Sequence, residues 1–431
     1  MKVLVIGTGG REHAIALALA ADPSVTEVHA APGNPGIGAF APLHDVDAMD
    51  GAAVASLATS IGADLVVVGP EAPLVAGVAD PVRAAGIAVF GPSKDAALLE
   101  GSKAFSKEVM AAAGVPTAGS RTCSSAEEVA AALDEFGAPH VVKDDALAAG
   151  KGVVVTRDRD EAIAHAALCT SRGGGRVVIE EFLDGPEVSV FAVCDGSTAY
   201  ALQPAQDFKR IFDGGRGANT GGMGSYSPLT WAPSDLADVV LSTIVQPTLD
   251  EMTRRGAPFV GCLYVGLALT GSGPKVIEFN CRFGDPDIQP VLALLDAPLG
   301  ELLLAAAEGR LSEVPAPTFR DGAAVSVVLA SAGYPESSSK GDVITGVGVA
   351  NGVNDVDVIH AGTALTTPES GDPQLVTAGG RVLAVRALGY DVADARARAY
   401  AAADLISFDG LQRRSDIAAE PLGVVEGASV M

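Results

Sequence analysis

The sequence predicts a multidomain protein of α/β and α+β class. Three observations carry this. A chain of 431 residues is longer than one hydrophobic core usually serves, so two to four domains are expected. The first hundred residues alternate strand and helix patterns, whereas after about residue 320 apolar strands are separated by Pro-, Gly- and Ser-rich turns. With 48% hydrophobic residues, the composition is that of a packed globular chain and not of a disordered one.

In the first hundred residues, 2–6, 25–30, 65–68 and 87–90 read as strands, and 11–21 and 74–85 as helices. Such alternation implies a parallel sheet with helices on both faces, which binds ligands at the carboxyl ends of its strands. Three loops fall there: GTGGREH (7–13), APGNPG (31–36) and GPEAPL (69–74). The first fails as a dinucleotide fingerprint. Glu12 stands where the third glycine belongs, and the second strand ends in Ala30, Ala31 and Pro32 with no acid for a ribose. A glycine-rich turn at a helix N-terminus, with Arg11 beside it, still suits a phosphate, and a small phosphorylated sugar fits better than NAD. A tight turn that needs glycine for geometry alone is the alternative.

Residues from about 101 to 320 form a second unit. Ser102 and Lys103 open a helix running to Ala113. A short strand at 141–143 ends in Lys143, and the loop 146–152 is tipped by Lys151. It is not a Walker loop, because Asp145 replaces the first glycine and Gly152 the Ser or Thr. A strand at 177–183 carries Glu180 and Glu181, and Glu187 follows Gly185. Free edge backbone at Glu181, Phe182 and Leu183 is placed to read an adenine ring, with Glu187 on ribose hydroxyls; solvated carboxylates are the alternative. QDFKR (206–210) precedes a glycine-dense loop without periodicity at 217–228, expected to be functional or mobile. A helix at 233–254 and a strand at 259–270 lead into KVIEFNCRFGDPD (275–287).

That last stretch organises the rest. It reads as a strand ending at Gly284 and Pro286, with Glu278, Asn280 and Arg282 on one face and Ile277, Phe279 and Cys281 turned to a core. A carboxylate and an amide oxygen two residues apart suit a hard cation such as Mg²⁺, and the arginine suits charge building on a phosphoryl group. An ordinary strand with a solvated polar face is the bland reading. Beyond 320, strands at 323–331 and 381–389 and a helix at 391–406 carry no chemical motif, so a small cap over the substrate cleft is expected.

A net charge of −24 argues against a nucleic-acid partner. Five scattered cysteines without a CxxC pair favour reduced thiols in a cytoplasmic protein. The start reads as a buried strand instead of a signal peptide, and the uncharged run 256–274 as strand-turn-strand instead of a membrane span.

Taken together, MKVLVIGTGGREHA, APGN, VGPEAPL, FGPS, LEGSKAFSK, VVKDDALAAGKGV, VIEEFLDGPE, NTGGMG and VIEFNCRFGDPD resemble the glycinamide ribonucleotide synthetases, the phosphoribosylamine–glycine ligase family of ATP-grasp enzymes. AGYP (332–335), GDVI (341–344), HAGT (360–363) and GGRVLAV (379–385) extend the resemblance over the whole chain. It implies a Rossmann-like N-terminal domain (1–101), a two-lobed ATP-grasp core (102–320) and a small C-terminal α+β domain (321–431). The implied reaction joins glycine to 5-phosphoribosylamine with ATP, through a glycyl phosphate, in purine synthesis. Lys103, Lys143, Gly150, Lys151 and Gly152 would hold ATP phosphates, with 149–152 as a mobile lid. Glu180, Glu181, Phe182 and Leu183 would line the adenine pocket, Glu187 would meet the ribose, and Glu278 and Asn280 would carry Mg²⁺ (or Mn²⁺). Asp207, Lys209, Arg282, Gly284 and Asp285 would orient glycine, and Gly10, Arg11, Glu12, Gly33, Asn34 and Glu71 the phosphoribosylamine. Arg282, Lys151 and Asp207 would be the catalytic groups, in a monomer or weak homodimer.

Four motifs depart from the family pattern: Phe208 replaces a histidine, Asp144 and Ala146 alter KADG, Ala218 replaces a proline and Asp287 a glutamate. None removes a proposed metal or phosphate ligand. A nucleotide-dependent dehydrogenase is disfavoured by Glu12, and a non-catalytic ATP-binding regulator would not need both Arg282 and Glu278.

Overall fold

A computed structural model describes residues 1–147, 152–171, 175–367 and 371–419. It begins with a four-stranded parallel sheet in the order Glu27–Pro32, Lys2–Gly7, Leu65–Val68, Ala88–Phe90. Val3 and Val5 pack into one apolar cluster and Leu4 and Ile6 into another, so the central strand is buried on both faces, as a parallel sheet requires. Helix Gly10–Ala20 follows the first strand. The helix expected at 74–85 is two short ones, Glu71–Ala76 and Ala79–Ala84, because Gly77 adopts φ +92 between them. Helix Gly51–Ile61, which the sequence reading omitted, is capped by the Asp50 carboxylate.

The middle of the chain builds two antiparallel sheets. The smaller has the order Ser120–Cys123, Val177–Glu180, His140–Asp144, Val153–Thr156. The larger has the order Ala199–Ala201, Glu187–Asp195, Val260–Thr270, Gly273–Asn280. Glu187–Asp195 was not foreseen. Val188, Val190, Ala192 and Cys194 enter one core while Phe191 and Val193 enter another, so no polar alternation marks it.

Three expectations about these strands are corrected. The strand bearing Glu180 stops there, and the Glu181 N–H donates to Gly119 O at 2.9 Å, so Glu181 does not offer a free N–H. The Gly273–Asn280 strand ends at Asn280, four residues before Gly284. It also contains a bulge: Glu278 faces Gly266 and Val276 faces Leu267, leaving Ile277 as the extra residue. Val276 therefore joins Phe279 and Cys281 in the core, and Ile277 turns into a cleft beside Lys103 and Glu278.

A five-stranded antiparallel sheet runs Gln206–Asp207, Gly224–Ser227, Ala323–Ala330, Arg381–Gly389, Val356–His360. Its register corrects the reading of 217–228 as an unstructured loop, since Arg216–Asn219 and Gly224–Ser227 are strands and the latter pairs with Ala323–Ala330. Glycine is needed there by close approach. A Cβ on Gly224 would lie 2.7 Å from Ser326 O, and one on Gly222, at φ +112, 2.4 Å from Pro286 Cδ. The C-terminal strands are thus continuous with the sheet that carries Asp207. Among the described residues, no helix is long and apolar enough to cross a membrane.

Candidate active site

Two charged clusters meet on the Gly273–Asn280 strand and the turn after it. The first is built by helix Lys103–Ala113. Ser102 caps it by accepting from Phe105 N–H at 3.1 Å. Asp145 accepts from Ala104 N–H at 2.8 Å and from Ser102 Oγ at 3.0 Å, and pairs with Arg176 at 2.7 Å. The helix start is thereby pinned to the end of the His140–Asp144 strand, which brings Lys103 Nζ to 3.1 Å from Glu278 Oε2. Lys143 Nζ lies 2.9 Å from Glu180 Oε2 and donates to Ile277 O at 2.9 Å.

Burial pushes the Glu278 carboxyl up, but Lys103, Lys209 and Lys143 outweigh it and hold it well below the usual range. Burial works against the Lys103 charge, yet Glu278 raises its pKa. A carboxylate kept ionised and the carbonyl oxygen of Asn280 are hard oxygen donors, so this pair fits a divalent cation shared with nucleotide phosphates. Among the described residues no group of three His, Cys, Asp or Glu side chains makes a closed metal site. Gly150 and Lys151 lie outside the described residues, as does Ala149 of the expected lid; Gly152 is buried, and its carbonyl accepts from Asp144 N–H at 2.8 Å.

The second cluster centres on Arg282. Its Nε lies 3.3 Å from Glu71 Oε2 and its Nη2 lies 3.2 Å from Glu100 Oε1. Nη1 donates to Phe283 O at 3.2 Å and Nη2 to Asn280 Oδ1 at 3.3 Å, so the expected metal amide also steadies the arginine. Arg11 Nη1 donates to Phe283 O at 3.1 Å and lies 3.7 Å from Glu71. Burial pushes the Glu71 carboxyl up, but Arg282 and then Arg11 bring it from 4.5 down to about 2. A depressed carboxyl contributes stability above its unfolded value and loses it as pH falls. The melting-temperature gap between wild type and Glu71→Gln is therefore expected to be full near neutrality and to close between 4.5 and about 2. A gap independent of pH would contradict the pairing.

Several predicted substrate residues are held by the fold itself. Glu12 accepts from Gly9 N–H at 2.6 Å and from Arg11 Nε at 2.5 Å, and a Cβ on Gly69 would lie 2.1 Å from its Oε1. Its carboxylate aims Arg11 and closes the glycine turn. Asn34 donates to Thr8 O at 2.9 Å and His360 O at 3.0 Å and accepts from Ile37 N–H at 3.0 Å, so it straps the N-terminal loops to a C-terminal strand. Gly33 takes φ +72 against Leu43. Gly10 and Gly284 are close-approach positions: Cβ atoms there would lie 2.9 Å from Gln289 Nε2 and 2.8 Å from Asp287 Oδ2.

Asp285 pairs with Arg381 at 2.9 Å and accepts from Gln289 Nε2 at 2.8 Å. Arg381 also donates to Gly221 O at 2.6 Å, and Tyr334 OH accepts from Gly221 N–H at 3.0 Å. The C-terminal strands thus bring a guanidinium to the glycine loop, a contact that no motif beyond 320 announces. Glu100 and Lys107 are further side chains that the sequence reading passed over. Both lie within LEGSKAFSK, and Lys107 stands one helical turn after Lys103, on the same face.

Lys209 Nζ lies 2.9 Å from Glu187 and 4.0 Å from Asp207, which joins the predicted ribose acid to the predicted glycine acid. Burial, and next the charge of Asp287, push Asp207 up to about 8 against the pull of Lys209. Phe182 and Leu183 make no backbone hydrogen bond among the described residues. Of the four departures, Phe208 is buried against Tyr226, with the Arg414 guanidinium 5.0 Å from its ring centroid. Asp144 accepts from Ala146 N–H at 3.1 Å, Ala218 is exposed, and Asp287 accepts from Ser189 Oγ at 2.7 Å.

Family comparisons agree with this architecture. Profiles of the phosphoribosylglycinamide synthetase N domain, ATP-grasp (A) domain and C domain match residues 1–100, 101–288 and 324–420. The phosphoribosylamine–glycine ligase of Streptomyces coelicolor is 60% identical over 98% of this chain and 100% of its own. That of Mycobacterium tuberculosis is 54% identical over 97% of each. The crystal structure of phosphoribosylamine–glycine ligase from Thermotoga maritima superposes with a TM-score of 0.81 at 34% identity, over 97% of this chain and 100% of that one. The biotin carboxylase domain of Hydrogenobacter thermophilus 2-oxoglutarate carboxylase, at TM-score 0.72 and 17% identity over 96% of this chain and 91% of that one, shares the fold. The chain belongs to the phosphoribosylglycinamide synthetase family of ATP-grasp enzymes, the phosphoribosylamine–glycine ligases.

Proposed function

We propose that the two clusters carry the two halves of one ligation: ATP activates the carboxyl of glycine, and the amine of 5-phosphoribosylamine then captures it as glycinamide ribonucleotide. The observation that supports this most is the placement of both clusters on one strand and turn. Glu278 faces the Lys103 and Lys143 side, Asn280 reaches Arg282, and Arg282 and Asp285 face Glu71 and Arg381, with Arg11 beside Glu71.

Glycine's carboxylate is a poor electrophile. One of its oxygens takes the γ-phosphoryl group and ADP leaves. The amine then attacks the carbonyl carbon, phosphate departs with the bridging oxygen, and the amine gives up a proton. Alignment and charge neutralisation are what such a transfer needs from a protein. Lys103 and Lys143 hold the phosphates, the family resemblance assigns Lys151 and Gly152 to them as well, and Arg282 faces the charge on the moving phosphoryl group. Glu278 and Asn280 hold Mg²⁺ (or Mn²⁺), which when bound draws charge from the phosphate oxygens. Backbone at Phe182 and Leu183 receives the adenine, and Glu187 the ribose. Asp207, ionised when an ammonium lies beside it, orients glycine with Lys209 and Asp285. Gly10 and Arg11 receive the phosphosugar, with Glu12 and Asn34 shaping their loops.

The division at residues 101 and 320, a cytoplasmic location and a monomer or weak homodimer complete this reading; the five buried, scattered cysteines suit a reducing compartment. ADP release is expected only when both glycine and phosphoribosylamine are present, and turnover with another amine replacing phosphoribosylamine would overturn the substrate assignment. For Arg11→Ala, KM for phosphoribosylamine is expected to rise about ten- to a hundredfold, the size of a charge-assisted contact, with KM for ATP unchanged. An equal loss for both would contradict separate sites.

A further inference from the structure

Behind the phosphate-facing lysines lies a third buried ammonium. Lys107 Nζ sits 3.2 Å from Glu180 Oε1 and donates to Thr117 Oγ1 at 2.9 Å and Ala118 O at 3.3 Å. Thr117 Oγ1 donates in turn to Val276 O at 2.6 Å. The next carbonyl along, Ile277 O, accepts from Lys143 Nζ at 2.9 Å, and Lys143 returns to Glu180 Oε2 at 2.9 Å. The contacts form a closed circuit. It joins helix Lys103–Ala113 to the strands bearing Lys143 and Glu180, and it passes through the bulge that precedes Glu278.

An ammonium has three N–H donors and no acceptor. Two of those on Lys107 are engaged by Thr117 and Ala118, and its charge faces Glu180 at 3.2 Å, so the group is turned to the fold and away from a nucleotide. Lys143 donates one to Ile277 O and pairs by charge with Glu180 at 2.9 Å, which leaves it donor capacity for a phosphate. Glu180 divides its charge between the two lysines; left with Lys143 alone, it would draw that ammonium harder towards itself.

We propose that Lys107 is a positioning residue for the ligation: by sharing Glu180 it keeps one N–H of Lys143 available to an ATP phosphate, and through Thr117 it fixes the bulge that aims Glu278. The proposal rests on the reading that Lys143 holds ATP phosphate, so Lys143→Met accompanies its test.

Lys107→Met and Thr117→Val are compared with wild type by ADP release, varying ATP, glycine and phosphoribosylamine in turn. Lys107→Met is expected to raise KM for ATP about ten- to a hundredfold, with the other two KM values unchanged. Thr117→Val, which opens the circuit but leaves every charge, moves KM for ATP the same way by less.

A second readout is the pH profile. Burial lowers Lys107 to about 8, against the opposing pull of Glu180 and with the push of Lys143 and Lys103, the latter itself paired with Glu278. The charged form is lost as pH rises through that value, so kcat/KM for ATP in wild type is expected to fall on the alkaline side. In Lys107→Met that fall is expected to vanish. An unchanged KM for ATP in folded Lys107→Met, or the wild-type alkaline fall surviving in it, would overturn the proposal. Should Lys107→Met not fold, an unchanged KM in Thr117→Val or a wild-type profile without the alkaline fall would overturn it equally. An unchanged KM for ATP in Lys143→Met would instead contradict the phosphate-holding role of Lys143.

Discussion

Replacing Glu278 by Gln is expected to cut turnover about 10²–10³-fold, the usual cost of removing one group aimed at developing charge. The melting temperature is expected to stay within a few degrees of wild type. The carboxylate lies at a partly exposed position on the cleft side of its strand, with 28% of its side chain accessible, while Val276 and Phe279 hold the strand in the core. Its depressed pKa reflects three lysines converging on it, a concentration of cations suited to polyphosphate. The amide preserves shape and still accepts from Lys103, so packing is kept and the negative charge alone is lost. Early melting with normal turnover per folded molecule would make this polar face structural.

Arg282→Met is expected to lower both stability and rate, for separable reasons. The guanidinium is the cation between Glu71 and Glu100, and the Glu100 side chain is only 4% exposed. Removing one partner of a buried pair leaves an uncompensated charge, at about 3–5 kcal/mol. Glu100 is already pushed up by burial, with Arg282 the main opposing influence. Without Arg282 its carboxyl rises further, so the instability is greatest above that raised folded pKa and eases as pH falls through it towards the unfolded value. Adding Glu100→Gln is expected to restore much of the stability but none of the rate, measured by urea unfolding and ADP release. Recovery of both would reduce Arg282 to a structural counter-ion.

Much of the site was legible in the sequence because its groups sit on strongly patterned elements. Lys103 follows a Ser cap, Lys143 ends an apolar strand, and Glu278 and Asn280 alternate along another. What escaped depends on contacts between distant segments. The Glu100 carboxylate meets Cys281 N–H across 181 residues, and Arg381 meets Asp285 across 96. No local period encodes either. The bulge at Ile277 follows from pairing register, which a single strand does not reveal. Glu12 and Asn34 show the converse: they sit in the predicted loops, yet their side chains hold the turns that present Arg11. Glycines at 222 and 224 read as loop residues from composition, and close packing against Pro286 and Ser326 gives them another purpose.

The central claim is that glycine's carboxyl is phosphorylated before the amine attacks. Glycine labelled with ¹⁸O in both carboxyl oxygens tests it directly, by mass analysis of the released phosphate after one turnover with ATP and phosphoribosylamine. The account predicts one labelled oxygen in each phosphate and one left in the amide product. Phosphate free of label, with one labelled oxygen kept in the amide and the other released to water, would contradict it.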